Sequence, residues 1–566
     1  MNRLEYYMYN FNVMELKKFL GVELADLLVE WIPEGEQLFS EENLIKMIES
    51  VYGNRILENK DFRRRLYKAF EPERILDYRA VLPTKPDEKD IQVVIDVMSN
   101  AQWGKNSFSY KVLDDLDITH DYFDKDEDNR ESIEVVDTYE KFYELLDYQF
   151  IIRQKILTYI NSNNDETKMI VRMPTGTGKT KTAMHTLINQ YVFKMQKQGL
   201  IIWIAHTKEL LDQAYDTFCN VWHHVGLGKV KTYKLWDKFD FDYQELDEGF
   251  LFVGIQKLAS IEKNNKKLFD RLVNLGRIVV VDEAHRAGAT ETKKILRELL
   301  QNVGKQKSLI GLTATPGRGD GPENELFKNM FDNKIIGIDV EMLNQLNMSK
   351  TEAANTVPEP DIIKYFQDRG ILSKLTRTPL KYGDLNEEEI KSLKLHMTSN
   401  GYKDVSEEFL KIIGKNKKRN TAIINKLIEL NNEHIPTIVF ACSVEHGKML
   451  SAALAMHGIK NGHIFGDMDS MERSSIIQRF KDNDDDLNIL INYEVLTTGF
   501  DATNIKCVFI TRPTNSVVLY SQMLGRGLRG PQMGGSAYCE LVDIEDNLEK
   551  YTNESAAFNY FDNYWS

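Results

Sequence analysis

The stretch Met173–Thr180 reads MPTGTGKT and continues directly from the apolar run MIVRM at Met169–Met173. A strand that breaks into a glycine loop and then a helix turns backbone N–H groups inward. With the positive end of the helix they form a cradle for phosphate oxygens. Gly176 and Gly178 permit the turn, with Thr175 before the first and Thr177 between them supplying further backbone. Lys179 would neutralise the β- and γ-phosphates of ATP, and the Thr180 hydroxyl would ligate Mg²⁺. Met173 stands where the stricter form of this loop has its first glycine.

The residues around the loop agree with an α/β sheet. LIIWIA at 200–205, FLFVGI at 250–255, RIVVVDEAH at 277–285 and SLIGLTAT at 308–315 are short apolar runs separated by helical patterns. Near-continuous apolar strands alternating with helices indicate a parallel sheet covered on both faces. The pattern returns at TIVFACS (437–443), HIFGD (463–467), LNILINYEVL (487–496) and KCVFITRP (506–513), which predicts a second α/β lobe.

At 566 residues the chain is too long for one core. We expect a mostly helical N-terminal accessory domain over 1–113 and an acidic linker over 114–139. A first lobe over 140–330, a helical insertion over 331–418, a second lobe over 419–546 and a tail over 547–566 would complete the chain. The linker reading rests on Asp114–Asp137, which holds eleven Asp or Glu against Lys125 and Arg130. In the first domain, Ser40 caps a helix with Leu44, Ile45, Ile48 and Val51 on one face and Gly53 at its end. IQVVIDVM at 91–98 reads as a strand. Arg63, Arg64 and Arg65 form a basic turn that is either a solvated face or a phosphate contact, and the same two readings hold for GKNKKR at 414–419.

The balance of charge excludes a protein that coats nucleic acid by basicity alone, since the net charge is −14. A local basic groove is still compatible with that total. No apolar run reaches the roughly 18–20 residues needed to span a bilayer, and MNRLEYYMYNFNVMELKKF lacks a signal-peptide core. A cytoplasmic protein without membrane contact is expected. The cysteines, Cys219, Cys442, Cys507 and Cys539, are scattered without CxxC pairs, which fits buried thiols and not a zinc or iron–sulfur centre.

Two further stretches carry chemistry. IVVVDEAH reads as a strand ending in two carboxylates, Asp282 to hold Mg²⁺ and Glu283 to orient and deprotonate an attacking water. QMLGRGLR at Gln522–Arg529 places Arg526 and Arg529 on a glycine-punctuated helical segment of the second lobe. Two lobes closing on one nucleotide would then complete a site that neither has alone.

The loop, DEAH, GLTATP and QMLGRGLR in this order resemble a superfamily 2 DEAH-type helicase or translocase. The texture of MPTGTGKTKTAM, IIWIAHTKELLDQA, VVVDEAHRAG, INYEVLTTGFDAT and YSQMLGRGLRGP is similar to bacterial restriction-type motors, the group of type I and type III restriction subunits and XPB-like ATPases. The resemblance covers about 140–545 and implies two tandem RecA-like lobes using ATP and Mg²⁺. It implies that Gln149, with Gln154 as the alternative, reads adenine, and that Gly499 and Asp501 approach the nucleotide. His206, Thr207, Gln256, Ser443, Thr497 and Thr498 would grip a nucleic-acid backbone, and Thr313 and Thr315 would couple that grip to hydrolysis. Gln522, Arg526 and Arg529 would face the γ-phosphate, with Lys179 and Glu283 opposite.

A D…ExK nuclease set is not found in residues 1–140. A motor whose cutting function belongs to a partner nuclease or defence subunit is therefore expected, with DNA favoured over RNA as cargo. An RNA helicase, or a nucleotide-gated switch that remodels a partner without translocating, are the alternatives.

Overall fold

The computed structural model describes residues 2–544 apart from 33–38, 85–89, 124–130, 140–143, 163, 165, 289, 302–303, 305, 318–321, 340–341, 344–345, 347–360, 383–403, 467, 469, 483–486, 498–502 and 515. Among the described residues, fourteen strands lie in two sheets. In chain order they are β1 (Ile133–Val136), β2 (Glu166–Arg172), β3 (Leu200–Ala205), β4 (Val230–Leu235), β5 (Gly249–Gly254), β6 (Gly276–Asp282), β7 (Lys307–Thr313), β8 (Ile335–Gly337), β9 (Lys374–Leu380), β10 (Thr437–Phe440), β11 (Asn461–Ile464), β12 (Ile489–Asn492), β13 (Cys507–Ile510) and β14 (Tyr538–Ile544).

The first sheet runs β1-β4-β5-β3-β6-β7-β2-β8, parallel except for the edge pair β1–β4. The second runs β11-β12-β10-β13-β14-β9 and is parallel throughout. Every residue of β3, β5, β7, β10, β12 and β13 is buried. That burial is why these strands read as unbroken apolar runs and not as alternations. These are two RecA-like α/β lobes.

Register places the chemistry in a row at one edge of the first sheet. Arg172 on β2 lies opposite Thr313 on β7, and Leu312 on β7 lies opposite Asp282 on β6. The glycine loop, the Thr313 segment and the DEAH carboxylates therefore leave three adjacent strands side by side, where open α/β sheets place their ligands.

The N-terminal region is helical, and it docks on the second lobe although it precedes the first in sequence. Leu44, Ile48 and Val51 of the helix Glu41–Tyr52 share one apolar cluster with Leu450, Ala453 and Leu454 of the helix Val444–Met456. Ser50 and Ser451 exchange a hydroxyl hydrogen bond of 2.8 Å, Asn461 Nδ2 donates to Ser50 Oγ at 3.3 Å, and Thr421 Oγ1 donates to the Trp31 carbonyl at 2.9 Å. The small residues Ser451, Ala452, Ala453 and Ala455 let the two helices approach closely.

Four expectations change. Residues 91–98 are not a strand: the helix Ile91–Asn100 starts at Asp90, whose carboxylate accepts from Gln92 N at 2.8 Å. Val94, Ile95 and Met98 are its buried face, a helical period that a short apolar run hides. The acidic stretch 114–139 is not only a linker, because β1 within it extends the first sheet. Glu134 there is paired with the buried Lys234 at 2.5 Å, so part of its charge is neutralised. The stretch 331–418 is not purely helical in its described residues: beside the helices Ile362–Asp368 and Glu407–Ile413, β8 joins the first sheet and β9 the second. Arg63–Arg65 are not one solvated face, since only Arg64 is exposed. Arg63 is buried and donates to the carbonyls of Leu57 and Glu58, Arg64 pairs with Asp96 at 2.8 Å and Arg65 with Glu15 at 2.7 Å. In the stretch 414–419, Lys415 pairs with Glu23 at 2.6 Å and Arg419 is buried.

Candidate active site between the lobes

The loop after β2 has the conformation its glycines foretell. Gly176 and Gly178 have φ of 85° and 78°, and Lys179 opens the helix Lys179–Asn189. Side chains at these glycines would also meet neighbours: a Cβ at Gly178 would clash with Gln149 Nε2 at 2.5 Å, and one at Gly176 would press on Leu372 Cδ2 at 3.3 Å. The loop is braced from below. Tyr148 Oη and Gln149 Nε2 both donate to the Thr177 carbonyl, at 2.7 and 3.0 Å, while Gln149 Oε1 accepts from Leu146 N. Thr177 Oγ1 donates to the Pro174 carbonyl at 2.7 Å. Gln149 is therefore at the loop with its amide engaged there, whereas Gln154 lies exposed on the same helix.

The two carboxylates lie beside Lys179. Its ammonium is 3.4 Å from Glu283 Oε1, and Glu283 N donates to Asp282 Oδ1 at 3.0 Å. Glu283 has a φ of 47°, a left-handed conformation that a glutamate rarely adopts and that concentrates at functional sites. Burial pushes the Asp282 carboxyl up to about 6, with Lys179 opposing the rise and Glu283 adding to it. Burial acts on Glu283 in the same sense, but the charges of Lys179 first and then Arg526 outweigh it and hold that carboxyl below its ordinary value. A buried carboxylate beside an ammonium, next to a glycine cradle, is a donor set that fits a magnesium–nucleotide. Thr180 and Asp282 would hold the ion, and the cradle and Lys179 would hold the phosphates.

His285 links these carboxylates to β7. Its Nδ1 is 3.2 Å from Thr313 Oγ1 and 3.3 Å from Glu283 Oε2. Burial drives its imidazole down to about 3, so the contact with Glu283 is made by a neutral ring. Thr313 Oγ1 in turn donates to the Thr315 carbonyl at 2.9 Å and accepts from Thr315 N at 3.1 Å.

The second lobe closes over this row. The helix Val517–Leu524 ends at Gly525, where a Cβ would lie 2.7 Å from Thr175 Cβ in the glycine loop. Gln522 lies on the buried face of this helix, and Arg526 follows its C-cap. Gln522 Nε2 is buried without a hydrogen-bond partner among the described residues, as suits a donor whose acceptor is a bound phosphate. Burial lowers the Arg526 guanidinium to about 10 against the pull of Glu283 across the cleft, and burial lowers Arg529 to the same value. Arg529 Cγ lies 3.7 Å from the Cβ position of Gly176.

On the other side, a cavity of about 640 Å³ opens between the lobes, lined by Thr207, His285 and Arg286 from the first and by Arg473, Arg512 and Gln522 from the second. Arg473 forms an ion pair there with Glu209 of the first lobe. Thr207 caps the helix Lys208–Val225, Gln256 Nε2 donates to the His206 carbonyl at 3.5 Å, and Ser443 caps the helix Val444–Met456. These residues sit at helix starts near the cleft. Thr498, Gly499 and Asp501 lie outside the described residues, as does the side chain of Thr497.

Residues 142–318 match the family model of the type III restriction enzyme res subunit, and residues 419–530 match the helicase conserved C-terminal domain. The chain thus carries a domain of the type III restriction res-subunit kind followed by a helicase C-terminal domain. Among curated proteins it is 26% identical over 416 residues to the Saccharomyces cerevisiae protein named "Putative ATP-dependent helicase IRC3", a match that covers 71% of this chain and 51% of that protein. It is 21% identical over 403 residues to the Escherichia coli type I restriction enzyme EcoAI endonuclease subunit, covering 69% and 45%. It is 27% identical over 229 residues to the ATP-dependent DNA helicase MPH1 of S. cerevisiae, covering 40% and 20%. The chain thus spans about half the length, or less, of these relatives.

Proposed function

We propose that this chain is an ATP-hydrolysing nucleic-acid motor of the helicase or translocase type, with DNA as its cargo. One observation carries the reading: the arginine segment of the second lobe packs on the glycine loop of the first, with a Gly525 Cβ 2.7 Å from Thr175 Cβ and Arg529 Cγ 3.7 Å from the Cβ position of Gly176, where Lys179 lies 3.4 Å from Glu283. On this reading Lys179 and the loop N–H groups hold the phosphates of ATP. Glu283 orients and deprotonates the attacking water, and Arg526 and Arg529 stabilise the charge that develops on the transferred phosphoryl group. Thr180 and Asp282 would hold magnesium, which when bound would supply positive charge beside the phosphates. Gln522 reads the same phosphate from the second lobe.

Because base and arginines come from opposite lobes, hydrolysis requires closure and product release permits opening. The neutral His285, bonded to Thr313, carries the state of Glu283 to the Thr313–Thr315 turn, while His206, Thr207, Gln256, Ser443, Thr497 and Thr498 grip the strand. The preference for DNA rests on the names of the relatives, one a DNA helicase and one a restriction subunit. A partner subunit that cuts, in a restriction or anti-phage system, is consistent with the same likeness. ATPase stimulation by DNA and RNA of matched sequence tests the assignment: stimulation by DNA is expected, and stimulation by RNA alone overturns the DNA reading. Hydrolysis that responds to no nucleic acid returns the chain to a nucleotide-gated switch.

A further inference from the structure

The segment between the lobes is built as a strap that ties the floor of the glycine loop to the arginine segment of the second lobe. It begins at the helix Ile362–Asp368, capped by Asp361, with Ile363, Tyr365 and Phe366 buried. Phe366 meets the ring of Tyr148 edge-on at 4.8 Å, and Tyr148 is the residue whose hydroxyl holds the Thr177 carbonyl. Beyond its C-cap Arg369, Gly370 with a φ of 66° turns the chain, and the Ile371 and Leu372 N–H groups close back on the Phe366 carbonyl.

From that turn the backbone runs antiparallel to the arginine segment. Gln532 N donates to the Gly370 carbonyl, Gly530 N to the Ile371 carbonyl and Ser373 N to the Leu528 carbonyl, each at 2.9 Å, with Leu372 bridged to Arg529. The Ser373 hydroxyl, fully buried, lies 2.6 Å from two carbonyl oxygens, those of Arg529 and Ser536. Ile371, Leu372 and Leu528 belong to the apolar core of the first lobe, although Leu528 is a second-lobe residue. Leu372 also covers Gly176 from the side on which Arg529 passes.

We propose that Ser373, with Leu372, is a positioning residue that sets the depth at which Arg529 meets the phosphate cradle. The proposal rests on Arg529 acting as an arginine finger. The Leu372–Arg529 ladder fixes the backbone of the finger, and the Ser373 hydroxyl fixes the carbonyl of Arg529 itself. Tyr148 and Phe366 fix the other end of the strap to the loop that the finger must reach. A nucleotide that settles the glycine loop therefore also settles the register of Arg529, through contacts that involve no nucleotide atom. A serine hydroxyl has one proton for two carbonyls, so removing it leaves a buried acceptor unserved and loosens the segment.

The test is a double-mutant cycle on the full-length chain with Ser373→Ala and Arg529→Ala, reading kcat, the KM for ATP and the thermal midpoint. Ser373→Ala is expected to lower kcat by up to about 100-fold, the scale of an ångström-sized misplacement. KM should stay within a few-fold, and the loss should vanish when Arg529 is already alanine, because coupled residues are non-additive. A Ser373→Ala loss that persists undiminished beside Arg529→Ala, or that follows the thermal midpoint, overturns the positioning role while leaving the finger intact. Full activity in Arg529→Ala alone instead overturns the finger reading, and the positioning role with it. Leu372→Ala gives an independent variant, expected to show the same kcat loss and the same dependence on Arg529.

Discussion

Gly525 is the point at which a single methyl group should hold the two lobes apart. Its φ and ψ of −56° and −18° are ordinary for alanine, so Gly525→Ala imposes no backbone strain. The new Cβ, however, would lie 2.7 Å from Thr175 Cβ. Carbon atoms settle at about 3.5–4.0 Å, so the second lobe must retreat from the glycine loop by about 1 Å. No rotamer of Thr175 relieves the contact, because the obstructing atom is attached directly to the backbone. A misplacement of that size between catalytic groups costs about 100-fold in rate, whereas folding stability should hold or rise by about 0.4–1 kcal/mol through the stiffer unfolded chain. Gly527→Ala is the contrast, because its Cβ would lie 2.7 Å from Val508 Cγ2 inside the second lobe itself, so it should lower stability first. Steady-state ATP hydrolysis and thermal unfolding on both variants check the pair. Gly525→Ala with the unmodified rate, or with a rate loss that tracks a lowered melting temperature, would refute closure of the lobes at this contact.

Glu283→Gln should bind ATP and nucleic acid as before yet hydrolyse about 10²–10⁴-fold more slowly; retained turnover in a filter-binding and phosphate-release pair removes Glu283 as the base. His446 is buried in the second lobe, with Nδ1 accepting from Cys442 N and Nε2 at 3.0 Å from Asn420 Oδ1, and burial holds its imidazole at about 3 against the ordinary 6.5. The unfolded chain then binds one more proton between those values. The contribution is complete above pH 6.5 and is lost on acidification at about 1.4 kcal/mol per pH unit. Urea unfolding across that range should show the slope, and His446→Gln should lessen it. Ile48→Ala in the N-terminal region should cost about 2–5 kcal/mol and reduce amide-exchange protection in the helix Val444–Met456 as well; protection unchanged there contradicts a shared core.

The candidate site was legible because its motifs are local. Glycine loop, DEAH carboxylates and QMLGRGLR each carry their chemistry within eight residues, and the buried strands announce themselves as apolar runs. What stayed hidden is long-range or short. β8 spans only Ile335–Gly337, and β9 is half exposed, so neither has an apolar signature. The helix Ile91–Asn100 differs from a strand only in which of its apolar residues face inward. Nothing in the local pattern of Glu41–Tyr52 tells that its partner is the helix Val444–Met456, and Ser373 is one serine among many until Arg529 is placed beside it. The Glu209–Arg473 pair is hidden for the same reason. Among the described residues no helix is long and apolar enough to cross a membrane.

The central claim is that one nucleotide is hydrolysed by groups from both lobes, and Arg526→Ala tests it most directly. Single-turnover ATP hydrolysis should be measured with saturating DNA alongside ATP affinity for the same variant. Affinity within a few-fold of the unmodified chain, with a hydrolysis rate lowered about 10³–10⁵-fold, is the expected result. Hydrolysis at the unmodified rate in Arg526→Ala would contradict it, and would confine the chemistry to the first lobe.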